Sequence, residues 1–326
     1  MNAARALIGG LAILLLGQAV CAQAQAQSKF PTRPVKLILP FGPGGVADVT
    51  MRLLGQKLGE KWGQQVVIEN KPGAGGVLAQ QTLLASPPDG YSMSVTGNAS
   101  AIGMTLFKNR PYDVLKDFTQ VSITATFEML LVTRRDAPFK TVADVIAYAK
   151  KYPGKVNLGA INPGSTQNLS AHLFKLMTGI DATVVTYRTT PDLLTGVLRG
   201  DIDLAFDYYA AFKGPLSDNQ LRVVASADDE RNPLLPNVPT AKESGLPDYV
   251  VTSWNALAAP AGLPKDILAI LNRDIVAALA DPDVRQKARD LGLNAEGSTP
   301  EVMRERLVRD IKRWAEVIER AGVPKQ

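Results

Sequence analysis

The sequence predicts an α/β protein built of two units that face each other across a cleft. Three observations carry that reading. Short apolar runs alternate with amphipathic stretches through most of the chain. The rhythm breaks near 125–135 and again near 245–255, and the chain then turns wholly helical. Polar, glycine-containing loops follow the apolar runs in both halves. Two crossings between the units suit a hinge with a ligand held between them.

The first 26 residues read as an export signal. Arg5 precedes an apolar run at 6–20, broken only by Gln18, and CAQAQAQS follows. That run is short for a bilayer span, which needs about 20 residues. Small residues fit cleavage after Ala24 or Ala26, so the mature chain begins near Gln27. Val20 stands before Cys21 where a lipid anchor would want a small residue. The expectation is therefore an exported protein, with a lipid tether at Cys21 the less favoured alternative to free diffusion.

Composition excludes several classes. The chain has 36 Lys and Arg, 31 Asp and Glu, one Cys and one His. Arg5 is the only charge lost with the leader, and the remaining surplus is spread without a basic stripe, so no nucleic-acid partner is expected. Cys21 also leaves, which removes disulfides, thiol nucleophiles and cysteine metal sites. With His172 alone a zinc site is close to excluded, a serine hydrolase would have His172 as its single candidate histidine, and no G-x-S-x-G elbow occurs. No cofactor and no metal are expected; an enzyme is hard to assemble, and carboxylate-only chemistry stays open because Asp and Glu are plentiful, though nothing singles out an acid and a base.

Segment 35–39 (VKLIL) reads as a buried strand, and 47–62 as a helix with Met51, Leu54, Leu58 and Trp62 on one face. Strand 65–69, helix 77–85 and strand 91–95 complete a βαβ rhythm. After Pro138 the pattern predicts helix 141–151, strand 155–159, helix 165–177, strand 183–187, helix 191–198 and strands 202–206 and 221–226. Strand 250–258 carries Trp254, and helices at 266–280 and 301–321 end the chain. Thr299-Pro300 is a cap and first-turn pair for the last helix. Both halves read as parallel-rich sheets.

The most informative loop is PFGPGGVAD (40–48), between a strand and a helix. A helix N-terminus offers unpaired N–H groups and the positive end of its dipole, and glycines let a ligand approach the backbone. The spacing fits neither a dinucleotide loop nor a Walker loop. Asp48 either caps its helix or accepts from a ligand's ammonium or hydroxyl group. Three further polar loops have a similar setting: GAGG (73–76), TGNAS (96–100) and NPGSTQN (162–168), where Ser165 or Thr166 can cap a helix. Asp207 ends an apolar run beside two tyrosines and could face a cleft or bond its own turn.

These strings resemble the extracytoplasmic solute receptors of tripartite tricarboxylate transport systems, the periplasmic Bug family abundant in Bordetella. The resemblance rests on PVKLILPFGPGGVADVTMR (34–52), VIENKPGAGG (67–76), SPPDGY (86–91) and PYDVLKDF (111–118) in the first part. Later it rests on YPGKVNLG (152–159), TYRTTPDLLTGVLRGDIDLAFD (186–207), LPNVPTAKESGLPDY (235–249) and TSWNALAAPAGLPK (252–265). It implies a two-domain periplasmic binding protein fold of the second type, with lobe 1 from 27–131 plus 251–326 and lobe 2 from 132–250. It implies a monomeric receptor that captures a small organic acid (a di- or tricarboxylate, an amino acid or an aromatic acid) for the membrane permease subunits of a transporter. The alternatives are an orphan receptor reporting to a sensor or regulator, and a periplasmic enzyme acting on carboxylates. Carried over, the ligand site would use Phe41, Gly44, Val46, Ala47 and Asp48 in one lobe and Gly164, Ser165 and Thr166 in the other. Asn98, Asp207 and Trp254 would form the further wall. Two positions depart from the family pattern: Asn168-Leu169 stands for a common His-Leu, and Arg188-Thr189 follows Tyr187 where Lys-Gly is common.

Overall fold

The computed structural model describes residues 30–326, so the leader, its cleavage sites and Cys21 lie outside the described residues. The first sheet begins with β1 (Val35–Leu39), β2 (Val66–Asn70) and β3 (Ser92–Gly97), joined by helices α1 (Val46–Trp62) and α2 (Val77–Leu84). Helix α3 (Asn98–Leu106) and strand β4 (Phe118–Glu128) follow, and after Met129 the chain enters the second sheet as β5 (Leu130–Arg134). There α4 (Val142–Lys151), β6 (Val156–Ile161), α5 (Thr166–Thr178), β7 (Ala182–Tyr187), α6 (Thr190–Arg199), β8 (Leu204–Asp207), α7 (Tyr209–Ser217) and β9 (Leu221–Ser226) complete the second unit. Strand β10 (Thr252–Pro260) returns to the first sheet, followed by α8 (Lys265–Ala280), α9 (Pro282–Arg289) and α10 (Pro300–Arg320).

The sheets share one plan. Their strand orders are β2-β1-β3-β10-β4 and β7-β6-β8-β5-β9. In each, three strands run parallel, and the fourth in order, which arrives from the other unit, is antiparallel. The parallel-rich reading therefore holds for three strands of each sheet, and the crossings supply the antiparallel part. This exchange of one strand each way makes two lobes with paired connections, the type II periplasmic binding protein fold.

Local chemistry accounts for the elements. Leu37, Ile38 and Leu39 are fully buried, as a central strand covered by helices on both faces requires. Met51, Leu54 and Leu58 bury the face of α1, and Gly63 ends that helix in the left-handed region at φ 62°. Trp62 is only half-buried, its indole donating to Asp274 of α8 at 2.8 Å. Thr299 caps α10 by accepting from the Val302 N–H. Leu307, Trp314 and Ile318 of α10 are buried.

Candidate ligand-binding cleft

In both sheets the parallel strands end facing the space between the lobes, where open α/β sheets place ligands. The cavity there is lined by residues after β1 (Phe41, Gly42, Gly45, Val46, Ala47), after β3 (Ala99, Ser100), after β6 (Asn162, Thr166, Gln167), after β7 (Arg188, Thr189, Thr190) and after β8 (Tyr208). Strand β10 adds Ser253, Trp254 and Asn255. Among the lining residues Arg188 is the only one with a charged side chain.

Five helices begin at this cavity, and three lack a side-chain cap. The N-caps of α1, α3 and α7 are Gly45, Gly97 and Tyr208, none of which accepts a hydrogen bond from its helix through a side chain. The first-turn N–H groups of α1 and α3 therefore keep their donor capacity, with the helix dipole behind them. By contrast Ser165 caps α5, accepting from the Asn168 N–H at 3.1 Å and donating to the Ile161 carbonyl at 3.0 Å. Thr189 caps α6 through the Asp192 N–H at 3.3 Å. Two buried lining groups add polar capacity: the Thr96 hydroxyl and the Asn255 amide nitrogen have no protein partner.

The eleven residues singled out from the sequence fall into distinct settings. Phe41, Val46, Ala47, Thr166 and Trp254 line the cavity. Gly44 and Gly164 do not line it but sit where the lobes meet. A Cβ on Gly44 would lie 3.3 Å from Pro191, and one on Gly164 3.0 Å from Phe107. Ser165 is the buried cap just described.

Asp48 lies off the cavity and is fully engaged in its own lobe. It accepts from the Gly44 N–H at 3.1 Å, from Arg52 at 2.9 and 3.0 Å, and from Asn70 at 3.0 Å. Burial alone would raise its pKa, but the bonds from Arg52, Gly44 and Asn70 outweigh burial and hold it below the usual carboxylate range. Asp48 is thus a strut for the glycine loop. The acceptor role toward a ligand has no free lone-pair direction to rest on.

Asp207 is also held by its own lobe. It accepts from Gln167 at 2.9 Å, the Tyr208 N–H at 2.9 Å and Thr190 at 3.0 Å. Burial pushes its pKa up to about 6 against those three bonds. It stands behind the wall and orients Gln167 and Thr190, which face the cavity. Asn98 is bonded on both ends of its amide, to Trp314, Thr252 and Thr166.

The segment 96–100 is not a loop. Strand β3 passes straight into α3 at Asn98, because Gly97 at φ 137° makes the bend alone. The indole of Trp254 donates to Asp310 at 2.6 Å. Its strand neighbours Ser253 and Asn255 lie in the cavity lining, and Asn255 carries the unpartnered amide. The alternation of β10 is the sequence signal for those two residues. The Arg188-Thr189 departure and the following Thr190 line the cavity, although none of the three was among the residues carried over as ligand contacts. Phe127 closes the cavity's rear, its ring 4.4 Å from that of Tyr208. Beyond it lies a second hollow on the hinge side, lined by Glu128, Asn232, Arg289 and Arg306 among others.

The fold and cleft define a two-lobed solute receptor. Residues 50–323 match the family described as Tripartite tricarboxylate transporter family receptor, and the chain belongs to that family. It is 32% identical to Protein BugT of Bordetella pertussis over 328 residues, covering 99% of each chain. Rpa4515 of R. palustris, solved with adipate, is 34% identical with a TM-score of 0.87, covering 90% of this chain and 98% of its own. MatC of Rhodopseudomonas palustris, solved with bound malate, is 31% identical with a TM-score of 0.83, covering 89% and 100%. Kinship with periplasmic binding proteins places the chain in the periplasm. Membership makes it a binding protein rather than an enzyme, and it implies association with the membrane permease subunits of such transporters.

Proposed function

We propose that the cleft captures a small organic carboxylate, with dicarboxylates the first class to test, and that the closed receptor, a monomer, delivers it to the permease. The observation that carries this is the set of uncapped helix N-termini around a cavity with one charged side chain. Backbone donors backed by helix dipoles suit a carboxylate and need no counter-charge. Helix ends from both lobes point to a ligand with an acidic group toward each, and Phe127 and Tyr208 offer its carbon skeleton an apolar wall. The adipate and malate held by the two R. palustris proteins support the same class.

In this reading lobe 1 comprises 27–131 plus 251–326 and lobe 2 comprises 132–250. Of the residues carried over from the family, Phe41, Val46, Ala47 and Thr166 touch the ligand. Gly44 and Gly164 let the lobes approach, while Asp48, Ser165 and Asp207 hold the loops in place. Gln167, Thr190, Ser253 and Asn255 join the contact set.

The test is a thermal-shift screen followed by calorimetry. It would use unbranched diacids of four to eight carbons, malate, acidic and neutral amino acids and aromatic acids, with chloride and phosphate as controls. At a concentration 100 times Kd a ligand stabilises by about 2.7 kcal/mol. A screen in which no organic acid outperforms the inorganic anions would rule the reading out.

A further inference from the structure

We propose that Asn98 is the latch of the closed cleft: a positioning residue that ties the two lobes together through Thr166, rather than a contact to the ligand. The proposal builds on ligand-driven closure as stated above, but the bonds that carry it are made wholly within the protein.

The orientation of the Asn98 amide is settled by its partners. Trp314 Nε1 can only donate, and it lies 2.8 Å from Asn98 Oδ1. The carbonyl of Thr252 can only accept, and it lies 3.2 Å from Nδ2. Both neighbours belong to lobe 1, one on α10 and one at the start of β10. They leave the remaining Nδ2 hydrogen aimed across the cleft, where Thr166 Oγ1 of lobe 2 accepts it at 3.2 Å. The Thr166 hydroxyl also lies 3.2 Å from Ser253 Oγ in lobe 1. Once Thr166 accepts from Asn98, its own proton is available to Ser253.

All these groups are buried: Asn98 is 2% exposed, Thr166 3%, Ser253 3% and Trp314 1%. The cross-lobe bonds are therefore made away from bulk water. A threonine at the first position of α5 thus reads whether lobe 1 has arrived. Asn98 is held ready for it by a tryptophan from the far end of the chain. No side-chain donor of Asn98 remains for a ligand.

The open–closed ratio can be read without any ligand. A Cβ on Gly42 would lie 3.5 Å from the Cβ of Thr189 in the opposite lobe. That separation suits a disulfide. The reporter is Gly42→Cys with Thr189→Cys, in a chain whose Cys21 is removed with the leader or replaced by serine. The rate of crosslinking under an added oxidant then follows the closed population.

Asn98→Ala is expected to slow crosslinking about fivefold, the value of one ordinary hydrogen bond, and Thr166→Val, which also removes the contact to Ser253, by at least as much. The pair together should slow it no further than the larger single effect. Thr166→Val leaves the bonds of Asn98 within lobe 1 intact, so it stays informative if Asn98→Ala loosens the lobe. Unchanged rates in either variant, or effects that multiply in the pair, would overturn the latch. Failure of every organic acid to speed crosslinking in the Asn98→Ala reporter, which keeps Thr166 and the rest of the cavity lining, would count instead against the proposed function.

Discussion

Gly97 and the carbonyl oxygen of Trp254 are in van der Waals contact across β3 and β10: a Cβ on Gly97 would lie 2.3 Å from that oxygen. Gly97 also sits at φ 137°, a conformation open essentially to glycine. The antiparallel pairing that draws β10 into the first sheet therefore depends on the missing side chain. Ser253 and Asn255 reach the cavity from that strand. Gly97→Ala is expected to cost about 2–4 kcal/mol of stability, combining backbone strain with overpacking. Urea denaturation would measure it, and a loss below about 0.5 kcal/mol would mean the strands part without penalty.

Gly44 acts at a different interface. Its φ of 84° and the 3.3 Å approach of a Cβ to Pro191 place it where the lobes touch. Gly44→Val adds strain in the loop and bulk between the lobes. The chain should still fold, with ligand affinity reduced at least about tenfold, since ~1.4 kcal/mol of lost closure is enough. Small-angle scattering with saturating ligand should show a more open particle. Wild-type affinity and compaction together would remove the loop from the closing interface.

How far the sequence alone leads is clearest from particular elements. Strand β9 falls where the apolar run predicts it, and α10 begins at its Thr-Pro signal. Strand β4 is not legible in the same way, because polar residues interrupt it. In the fold those residues are satisfied by distant partners: Ser122 donates to the Ser298 carbonyl at 3.0 Å and Thr124 to the Asn255 carbonyl at 3.1 Å. Helix α7 contains Pro215, which reads as a turn. At the site, the glycine loop and the 162–167 loop are legible from composition. Asn98 and Asp207 are legible as polar residues at strand ends, but their partners come from 216 and 40 residues away. Only the fold shows that those partners bury both residues and hold them outside the cavity lining.

Asp48 gives a pH signature of known sign. Its folded-state pKa is depressed, so its contribution to stability is complete above the unfolded value near 3.8 and is lost as pH falls through the folded value. Asp48→Asn should cost about 1–2 kcal/mol at neutral pH, through lost bonds to Arg52 and the Gly44 N–H. The deficit should fade at acid pH. Affinities for malate and for unsubstituted diacids should change by the same factor, because the carboxylate does not face the ligand. A selective loss for hydroxy-acids would return Asp48 to the contact set.

Asp207 has the opposite sign. Burial raises its pKa to about 6 despite the bonds from Gln167, Tyr208 and Thr190. The folded state then holds a proton that the unfolded state releases near 3.8. Stability attributable to this group falls as pH rises from about 4 to 6, and is level above that. Across that window the difference between wild type and Asp207→Asn should change by up to about 3 kcal/mol, on the order of two pKa units. Comparing the two proteins removes the contribution of Glu128, whose pKa burial also raises, to about 7. A difference that is flat with pH would show that Asp207 keeps an ordinary pKa.

Arg188 decides between two ways of holding an anion. Among the described residues it is the only charged side chain lining the cavity, and it is exposed. If the helix N-termini hold the carboxylates, Arg188 adds attraction from the rim that salt screens over about 8 Å at physiological ionic strength. Arg188→Ala should then weaken binding less than about tenfold at low salt and hardly at all at 0.5 M, since exposed charge pairs are worth about 0.2–1 kcal/mol. The slowing should appear mainly in association, where rim charges act. A loss of more than about 100-fold that persists at high salt would assign the carboxylate to the guanidinium. It would also demote the uncapped turns of α1 and α3 to the structural role of shaping the cleft.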